Sequence, residues 1–225
     1  MQVSYLIRLI LIALVYSSAC DAQALENLVQ LPDPATDGAT SVEEAMQERR
    51  SIRSFDSDAL MSLDEVSQIL WAAQGITAGG RLRTVPSAGA LYPFTIYLVA
   101  GRVDSLPSGI YRYSPGDNTL EILDEGEFLD DIVPASLNQR WIGSAGILVA
   151  LVADYSVITD VYGDRGVMYT HMEAGHISQN IYLQCVSLGL GTCAVGAFDE
   201  SAVAGILMLE DNGTPLYLMP VGMPD

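Results

Sequence analysis

The chain has 225 residues, of which 50% are hydrophobic, and its formal net charge at pH 7 is −18. This length favours one domain with one sizeable core, and the negative charge makes nucleic acid and anionic membrane surfaces poor partners. The sequence contains no lysine, which excludes Schiff-base chemistry, a lysine general base and the usual P-loop.

The first 24 residues are typical of a secretory signal peptide. Arg8 precedes an apolar run from Leu9 to Val15, which is short for a spanning helix, and small residues follow it. Two processing sites are readable: an A-x-A cleavage site at 22–24 and a stretch at 18–20 that resembles a lipoprotein box with Cys20 as the lipidated residue. We therefore expect an exported, extracytoplasmic protein, and a membrane tether through Cys20 stays open.

Residues 25–40 are predicted to be an extended lead-in, and the remaining 41–225 to be a single domain. Ser41 and Glu44 have the spacing of a capping box, which predicts a helix that runs to about Arg50.

The segment QERRSIRSF that ends this helix concentrates positive charge in an acidic protein. Arg49, Arg50 and Arg53 lie within five positions, together with Ser51. Planar guanidinium groups and a hydroxyl are the donors that a phosphate monoester prefers, so we interpret the segment as a phosphate-binding site. The alternative is a solvated helix end whose arginines offset the negative end of the helix dipole.

The next predicted elements are a helix, bounded by a capping box and a glycine, and the loop that follows it. Ser62 and Glu65 form a second capping box, which predicts a helix over Leu63–Gln74, and Gly75 suits the left-handed position just past it. We expect Gly75–Leu91 to be a loop.

The rest of the chain mixes strands and helices without strict β-α-β alternation, which predicts the α+β class. Gly146–Ala153 is apolar on both faces, as in a central strand covered on each side. The other predicted elements are a strand at Phe94–Ala100, a hairpin of Ile110–Tyr113 with Thr119–Leu123, a long helix at Tyr169–Leu188, a short helix from Asp199 to Leu209 and a strand at Pro215–Val221.

Three separated stretches resemble, in order and spacing, the nitroreductase-like FMN family. They are ERRSIRSF, TVPSAGALYP at Thr84–Pro93 and LGLGTCAVGAFD at Leu188–Asp199; EAGHISQN at Glu173–Asn180 is similar to the SagB-type dehydrogenase branch, whose best-known members oxidise azolines in peptides. The resemblance implies a mostly antiparallel central sheet flanked by helices, and a homodimer with flavin at its interface.

The resemblance also implies roles for individual residues. Arg49, Arg50 and Ser51 would hold the FMN phosphate and ribityl chain, and Arg53 would meet the pyrimidine edge of the ring. Gly196 and Ala197 would present backbone amides near flavin N5, where donors can stabilise negative charge without a titrating side chain. The residues that would cover the ring from the other subunit are Pro86, Ser87, Ala88 and Gly89.

Two departures from the family pattern bear on the activity. Family members usually carry basic residues at or beyond the segment that here is PVGMPD, where this chain has Met223 and Asp225. The lysine-tyrosine pair of azoline dehydrogenases falls at Met168-Tyr169, so only the candidate catalytic Tyr169 is present. A simpler flavin reductase or dehydrogenase, with NAD(P)H as the expected donor and a small-molecule acceptor, is therefore favoured over a peptide azoline dehydrogenase. An exported flavin-binding protein without turnover is the other alternative.

We expect no metal site. His171 and His176 are five positions apart on a helix, so they point about 140° apart.

Cys185 is predicted to be a core residue, and no disulfide framework is implied. Tyr92 either stacks near the flavin or packs within its own chain.

Overall fold

The structure, a computed structural model, describes residues 27–210 and 212–225. The signal peptide predicted at 1–24 and both of its processing sites lie outside these residues. Among the residues described, no helix has the length and apolar character needed to cross a membrane.

A seven-stranded sheet forms the centre of the molecule, and a two-stranded sheet lies apart from it. The strands are β1 (Leu28–Gln30), β2 (Ile76–Ala78), β3 (Leu82–Arg83), β4 (Phe94–Ala100), β5 (Gly109–Ser114), β6 (Thr119–Glu125), β7 (Ile147–Ala153), β8 (Gly191–Thr192) and β9 (Thr214–Gly222). The order in the large sheet is β1-β6-β5-β4-β7-β9-β8, and all neighbours pair antiparallel.

Strand β7 is the buried centre of the sheet. All seven of its residues are buried, and it pairs with β4 on one side and β9 on the other. Successive side chains alternate between two apolar clusters, with Val149 and Leu151 in one and Leu148 and Ala150 in the other. The prediction of a central strand covered on both faces is confirmed.

The described residues form six helices, which flank the sheet. They are α1 (Val42–Glu48), α2 (Leu63–Gln74), α3 (Leu129–Ala135), α4 (Ser156–Tyr162), α5 (Arg165–Ser187) and α6 (Glu200–Ile206). Helices α2 and α5 pack together over one face, where Ile69, Ile177 and Ile181 are fully buried. The other face carries α3 and α6 through Ile132 and Val203. The predicted α+β class with a mostly antiparallel sheet is confirmed.

Helix α2 has the predicted bounds because its capping box forms. The Ser62 hydroxyl accepts from the Glu65 amide at 3.2 Å, and the Glu65 carboxylate accepts from the Ser62 amide at 2.7 Å. The role predicted for Gly75 was wrong, since its φ is −61° rather than left-handed. Glycine is needed there because a Cβ would lie 2.1 Å from the Trp71 ring.

Other predicted bounds need correction. The region expected to be a loop contains the β2–β3 hairpin and a 3-10 turn at Ala88–Ala90, and the extended lead-in contributes β1, which pairs with β6. Helix α1 ends at Glu48, α5 starts four residues before Tyr169, and α6 ends at Ile206. Helices α3 and α4 were not predicted, since each has only seven residues and α3 contains Pro134.

Candidate functional site

The arginine segment, residues 49–53, lies just past the end of α1. Arg49 is the residue that ends the helix, so the segment's backbone is free to pair elsewhere. Ser51 forms a parallel bridge with Thr192 of β8, and the Ile52 amide donates to the Thr192 carbonyl at 2.9 Å. Two stretches that are 140 positions apart in sequence, and that the family resemblance assigns to one site, are therefore neighbours.

Close packing at this junction requires a glycine. A Cβ on Gly191 would lie 2.8 Å from the Ile52 side chain, closer than real Cβ contacts allow. Gly191 therefore lets the arginine segment lie directly against β8.

Tyr182 of α5 connects both stretches. Its hydroxyl accepts from the Ala194 amide at 2.8 Å and lies 3.0 Å from the Ser51 hydroxyl. The Arg49 guanidinium carbon lies 5.1 Å from the centre of the Tyr182 ring, within the range of a cation–π contact. Sequence reasoning missed this residue, because its spacing in the helix carries no signal that distinguishes it from a packing residue.

The arginine segment has no carboxylate partner among residues 27–210 and 212–225, where the one ion pair is Arg112–Glu121 at 2.6 Å. Arg50 turns back and donates to the carbonyls of Gln47 at 2.8 Å and of Arg49 at 2.7 Å, so it caps α1. Arg53 is exposed. In a chain with 28 acidic residues, unpaired guanidinium groups at one place favour an external anion.

Gly196 and Ala197 follow this junction and are exposed. Neither amide donates to an acceptor within the part of the chain that the structure describes. Their neighbours are hydrogen-bonded: Val195 and Leu218 exchange two backbone hydrogen bonds of 2.8 and 3.0 Å, and the Gln139 side-chain amide donates to the Ala197 carbonyl at 3.1 Å. The two amides are thus held by rigid surroundings and are available as donors.

The stretch of Pro86 to Gly89 lies elsewhere in the chain, in a tight turn. The Ser87 hydroxyl accepts from the Tyr92 amide at 2.9 Å. Gly89 has φ +62°, and a Cβ there would lie 2.9 Å from the Tyr162 hydroxyl. Pro86 and Gly89 are exposed, whereas Ser87 and Ala88 are half-buried. The turn therefore leaves its backbone accessible, with glycine where a side chain would clash with Tyr162.

Glu173 lies behind this turn and was not singled out by the sequence. It is 2% exposed, and neither carboxyl oxygen has a hydrogen-bond partner in the described residues. Burial raises the pKa of Glu173, against smaller opposing effects from Ser87, Gln74 and Arg83. The nearby Arg83 is already engaged, since it donates to the Gln74 side-chain oxygen at 2.6 Å and lies 4.5 Å from the centre of the Tyr92 ring. Tyr92 accordingly packs on Arg83 in its own chain.

Tyr169 lies at the same end of α5 as this turn. Its ring meets the Tyr162 ring edge-on at 5.3 Å, and the Arg165 guanidinium lies 5.7 Å from its centre. Met168, in the position of the absent lysine, is 43% exposed. A cation is thus present beside Tyr169, but from one helical turn earlier.

The two groups of site residues are separated along α5. Glu173 and Tyr182 are nine residues apart, which is roughly 14 Å along the helix axis. The arginine segment with Gly196 and Ala197 lies at the far end, and the turn at 86–89 with Tyr169 at the near end. The two groups of predicted site residues therefore lie apart within one chain, and we call each group a half-site.

The described residues contain no cluster of three or more His, Cys, Asp and Glu side chains that could hold a metal ion. The His171 ring nitrogen instead lies 2.6 Å from the Tyr155 hydroxyl. Cys185 and Cys193 are free and buried, and burial raises the pKa of the Cys185 thiol. Cys185 is a core residue, as predicted.

Comparisons with known proteins agree with this architecture. The family model described as Nitroreductase family matches residues 46–223. A Methanocaldococcus jannaschii protein assigned to the nitroreductases, MJ1384, is 44% identical over 195 residues, which cover 86% of this chain and 95% of that protein.

Among solved structures, a nitroreductase-type protein of Ralstonia eutropha JMP134 superposes with a TM-score of 0.78 at 25% identity, over 88% of this chain and 90% of that one. The NADPH:FMN oxidoreductase of Vibrio harveyi, solved with NAD⁺, has a TM-score of 0.59 at 20% identity and shares the fold over 81% of this chain and 68% of its own. Fold and site together define an oxidoreductase built on this α+β plan. The chain belongs to the nitroreductase family.

Proposed function

We propose that the protein is an FMN-dependent oxidoreductase that passes electrons from a donor such as NAD(P)H to a small-molecule acceptor. The observation that carries this proposal is the arginine segment, whose guanidinium groups have no carboxylate partner among the described residues of a strongly acidic protein. Tyr182 connects this segment to the stretch that carries the exposed Gly196 and Ala197 amides, which have no acceptor in the described residues. The name of the Vibrio harveyi enzyme supports NADPH as the class of donor.

The residues present fit FMN. Arg49 and Ser51 would offer a charged fork and a hydroxyl to the phosphate, and the exposed Arg53 of the same segment would hold the pyrimidine part of the ring. Gly196 and Ala197 would donate to the region of N5, because their amides are exposed and free. Arg50, which caps its own helix, contributes mainly positive potential. The bound flavin would supply the hydride chemistry, while this chain binds it, orients it and covers it.

We also propose that the two half-sites meet in a homodimer. Met168 and Met172, one turn apart on α5, are 43% and 50% exposed, and Gly175 on the same stretch has open space around its Cβ position. Val42 and Met46 of α1 are similarly exposed, at 61% and 59%. An apolar helix face with a small residue suits close approach of a second copy. The partner's turn at 86–89 would then cover the ring held by the arginine segment.

The test is a flavin titration of the purified mature protein. We expect a yellow complex with FMN, bleaching on addition of NADH or NADPH, and return of the colour with a quinone or a nitroaromatic compound. A folded protein that cannot be loaded with FMN would refute the proposal. Loading without bleaching by any donor would instead favour the flavin-binding alternative without turnover.

Azoline oxidation is the second candidate, because Arg165 supplies a cation at the Tyr169 ring in place of the missing lysine. It requires turnover of a thiazoline peptide that Tyr169→Phe abolishes, with quinone reduction retained. Absence of thiazoline turnover in the wild-type protein removes this candidate.

Export is proposed from the first 24 residues. Mass spectrometry of the cell-produced protein should show either a new N-terminus at Leu25 or a lipidated Cys20. A mature chain that still begins at Met1 would contradict export by this signal.

A further inference from the structure

We propose that Tyr182 is a positioning residue that organises the phosphate end of the site and thereby makes the protein select FMN over phosphate-free riboflavin. The inference rests on the proposed function, since it assumes a flavin in the site. It concerns a side chain that the family motifs in this sequence do not include.

The hydroxyl contacts of Tyr182 allow Ser51 to point its proton toward an anion. The Tyr182 oxygen accepts from the Ala194 amide at 2.8 Å, so its own proton is free for the Ser51 oxygen at 3.0 Å. In that arrangement the Ser51 proton points away from Tyr182. An anion beside Ser51 favours this orientation, because it turns the serine hydroxyl into a donor toward the anion.

The Tyr182 ring orients Arg49 without neutralising it. A carboxylate at this place would hold the guanidinium but would also compete with a phosphate for its donors. The aromatic face, 5.1 Å from the guanidinium carbon, attracts the cation and leaves its N–H edge available. Tyr182 therefore prepares both a charge and a hydroxyl for the same anion.

The backbone contact extends this effect to the next stretch. Ala194 lies two residues before Gly196, and its amide depends on the Tyr182 hydroxyl for a partner. Because Tyr182 belongs to a 23-residue helix packed against the core, its hydroxyl is a fixed reference point. The arginine segment is thus positioned relative to β8 by a side chain as well as by the Ser51–Thr192 bridge.

The test compares FMN and riboflavin binding in Tyr182→Phe, which keeps the ring and removes the hydroxyl. We expect the Kd for FMN to rise about 10-fold, because Ser51 would lose its orientation as a donor to the charged phosphate. The Kd for riboflavin, which has no phosphate, should change less than about 3-fold. The matched control is Tyr111→Phe in β5, which loses a 2.7 Å hydrogen bond to the Pro107 carbonyl and should leave both affinities unchanged. Flavin fluorescence gives the affinities, and apoprotein melting shows whether each variant is folded.

Ser51→Ala keeps the proposal testable if Tyr182→Phe does not fold. Ser51→Ala by itself should lower the preference for FMN over riboflavin. When Tyr182→Phe folds, adding it to Ser51→Ala should cost less than the sum of the two single changes, because the residues act as a pair. The proposal would be overturned if folded Tyr182→Phe bound FMN as tightly as the wild-type protein. It would also be overturned if the variant bound FMN and riboflavin more weakly by the same factor. If the wild-type protein binds neither flavin, the proposed function itself fails.

Discussion

Glu173 is a buried acid without a hydrogen-bond partner in the described residues, and a charge in such a place is costly. The charged group that acts on it is Arg83, which is already committed to Gln74 and Tyr92. Burial raises the pKa of Glu173 above its ordinary value of 4.5. Glu173 therefore stays protonated up to a higher pH in the folded protein than in the unfolded chain.

The pH dependence of stability follows from this direction. A carboxyl whose folded pKa is raised stabilises the fold fully below its unfolded pKa, and that contribution is lost as the pH rises through the folded pKa. We expect the free energy of unfolding of the wild-type protein to fall with rising pH above about 4.5 more steeply than that of Glu173→Gln. Urea denaturation between pH 4.5 and 8 measures both slopes.

Acidic residues on the surface also make the free energy of unfolding depend on pH, so the comparison needs a surface control. Glu127 is exposed, and Glu127→Gln removes the same charge from the surface. Its slope should stay close to that of the wild-type protein, and only Glu173→Gln should be flatter. Parallel slopes for all three proteins would show that Glu173 is not the titrating group.

Part of the site was predictable residue by residue, and part was not. Arg49 and Ser51 stand out because their charge and spacing are unusual in an acidic chain. Tyr182 could not be found this way, since its partner Ser51 lies 131 positions away and a tyrosine in a helix is an ordinary core residue. Glu173 is recognisable only once burial is known.

At the scale of elements, the site depends on how closely the arginine segment approaches β8. Gly191→Ala would place a methyl group 2.8 Å from Ile52. We expect a loss of about 1–3 kcal/mol in unfolding free energy from this overpacking, with weaker FMN binding because Ser51 is displaced. Thermal melting and flavin titration measure the two effects.

A glycine-to-alanine substitution at an open position is the control, and it should not lower the free energy of unfolding. Gly205 in α6 has nothing within 4 Å of its Cβ position, so Gly205→Ala should be neutral or stabilise by up to about 1 kcal/mol. A Gly191→Ala variant as stable as Gly205→Ala, with normal FMN affinity, would show that the junction tolerates more separation than the structure indicates.

The elements that sequence could predict share a strong local signal. Helix α2 has a full capping box, β7 is a continuous apolar run of seven residues, and β4 is apolar except for Thr95. Helices α3 and α4 are short, and β8 has two residues, so tertiary packing rather than local preference decides them. The β2–β3 hairpin was missed because its turn residues, Gly79 and Gly80, fit a loop equally well.

For the whole molecule, the separation of the half-sites along α5 makes the second copy part of the proposed function. We expect Met172→Glu to place a charge in the subunit interface and to shift the protein toward monomer. FMN affinity should fall with it, since the proposed site takes residues from both subunits. Sedimentation in the presence and absence of FMN measures mass and binding together.

A charge on another exposed apolar side chain is the control for this variant. Leu60 is 63% exposed and lies outside the proposed interface, so Leu60→Glu should remain dimeric and retain FMN. A wild-type protein that sediments as an FMN-bound monomer would exclude the shared site.

The flavin affinity of arginine variants tests the account most directly. Arg49→Ala and Arg53→Ala should each raise the Kd for FMN by about 10-fold or more, because each removes a charged donor to the bound nucleotide. Arg112→Ala, which changes the net charge equally but removes only the surface pair with Glu121, should bind FMN as the wild-type protein does. If Arg49→Ala and Arg53→Ala hold FMN as tightly as Arg112→Ala, the arginine segment is not the phosphate site.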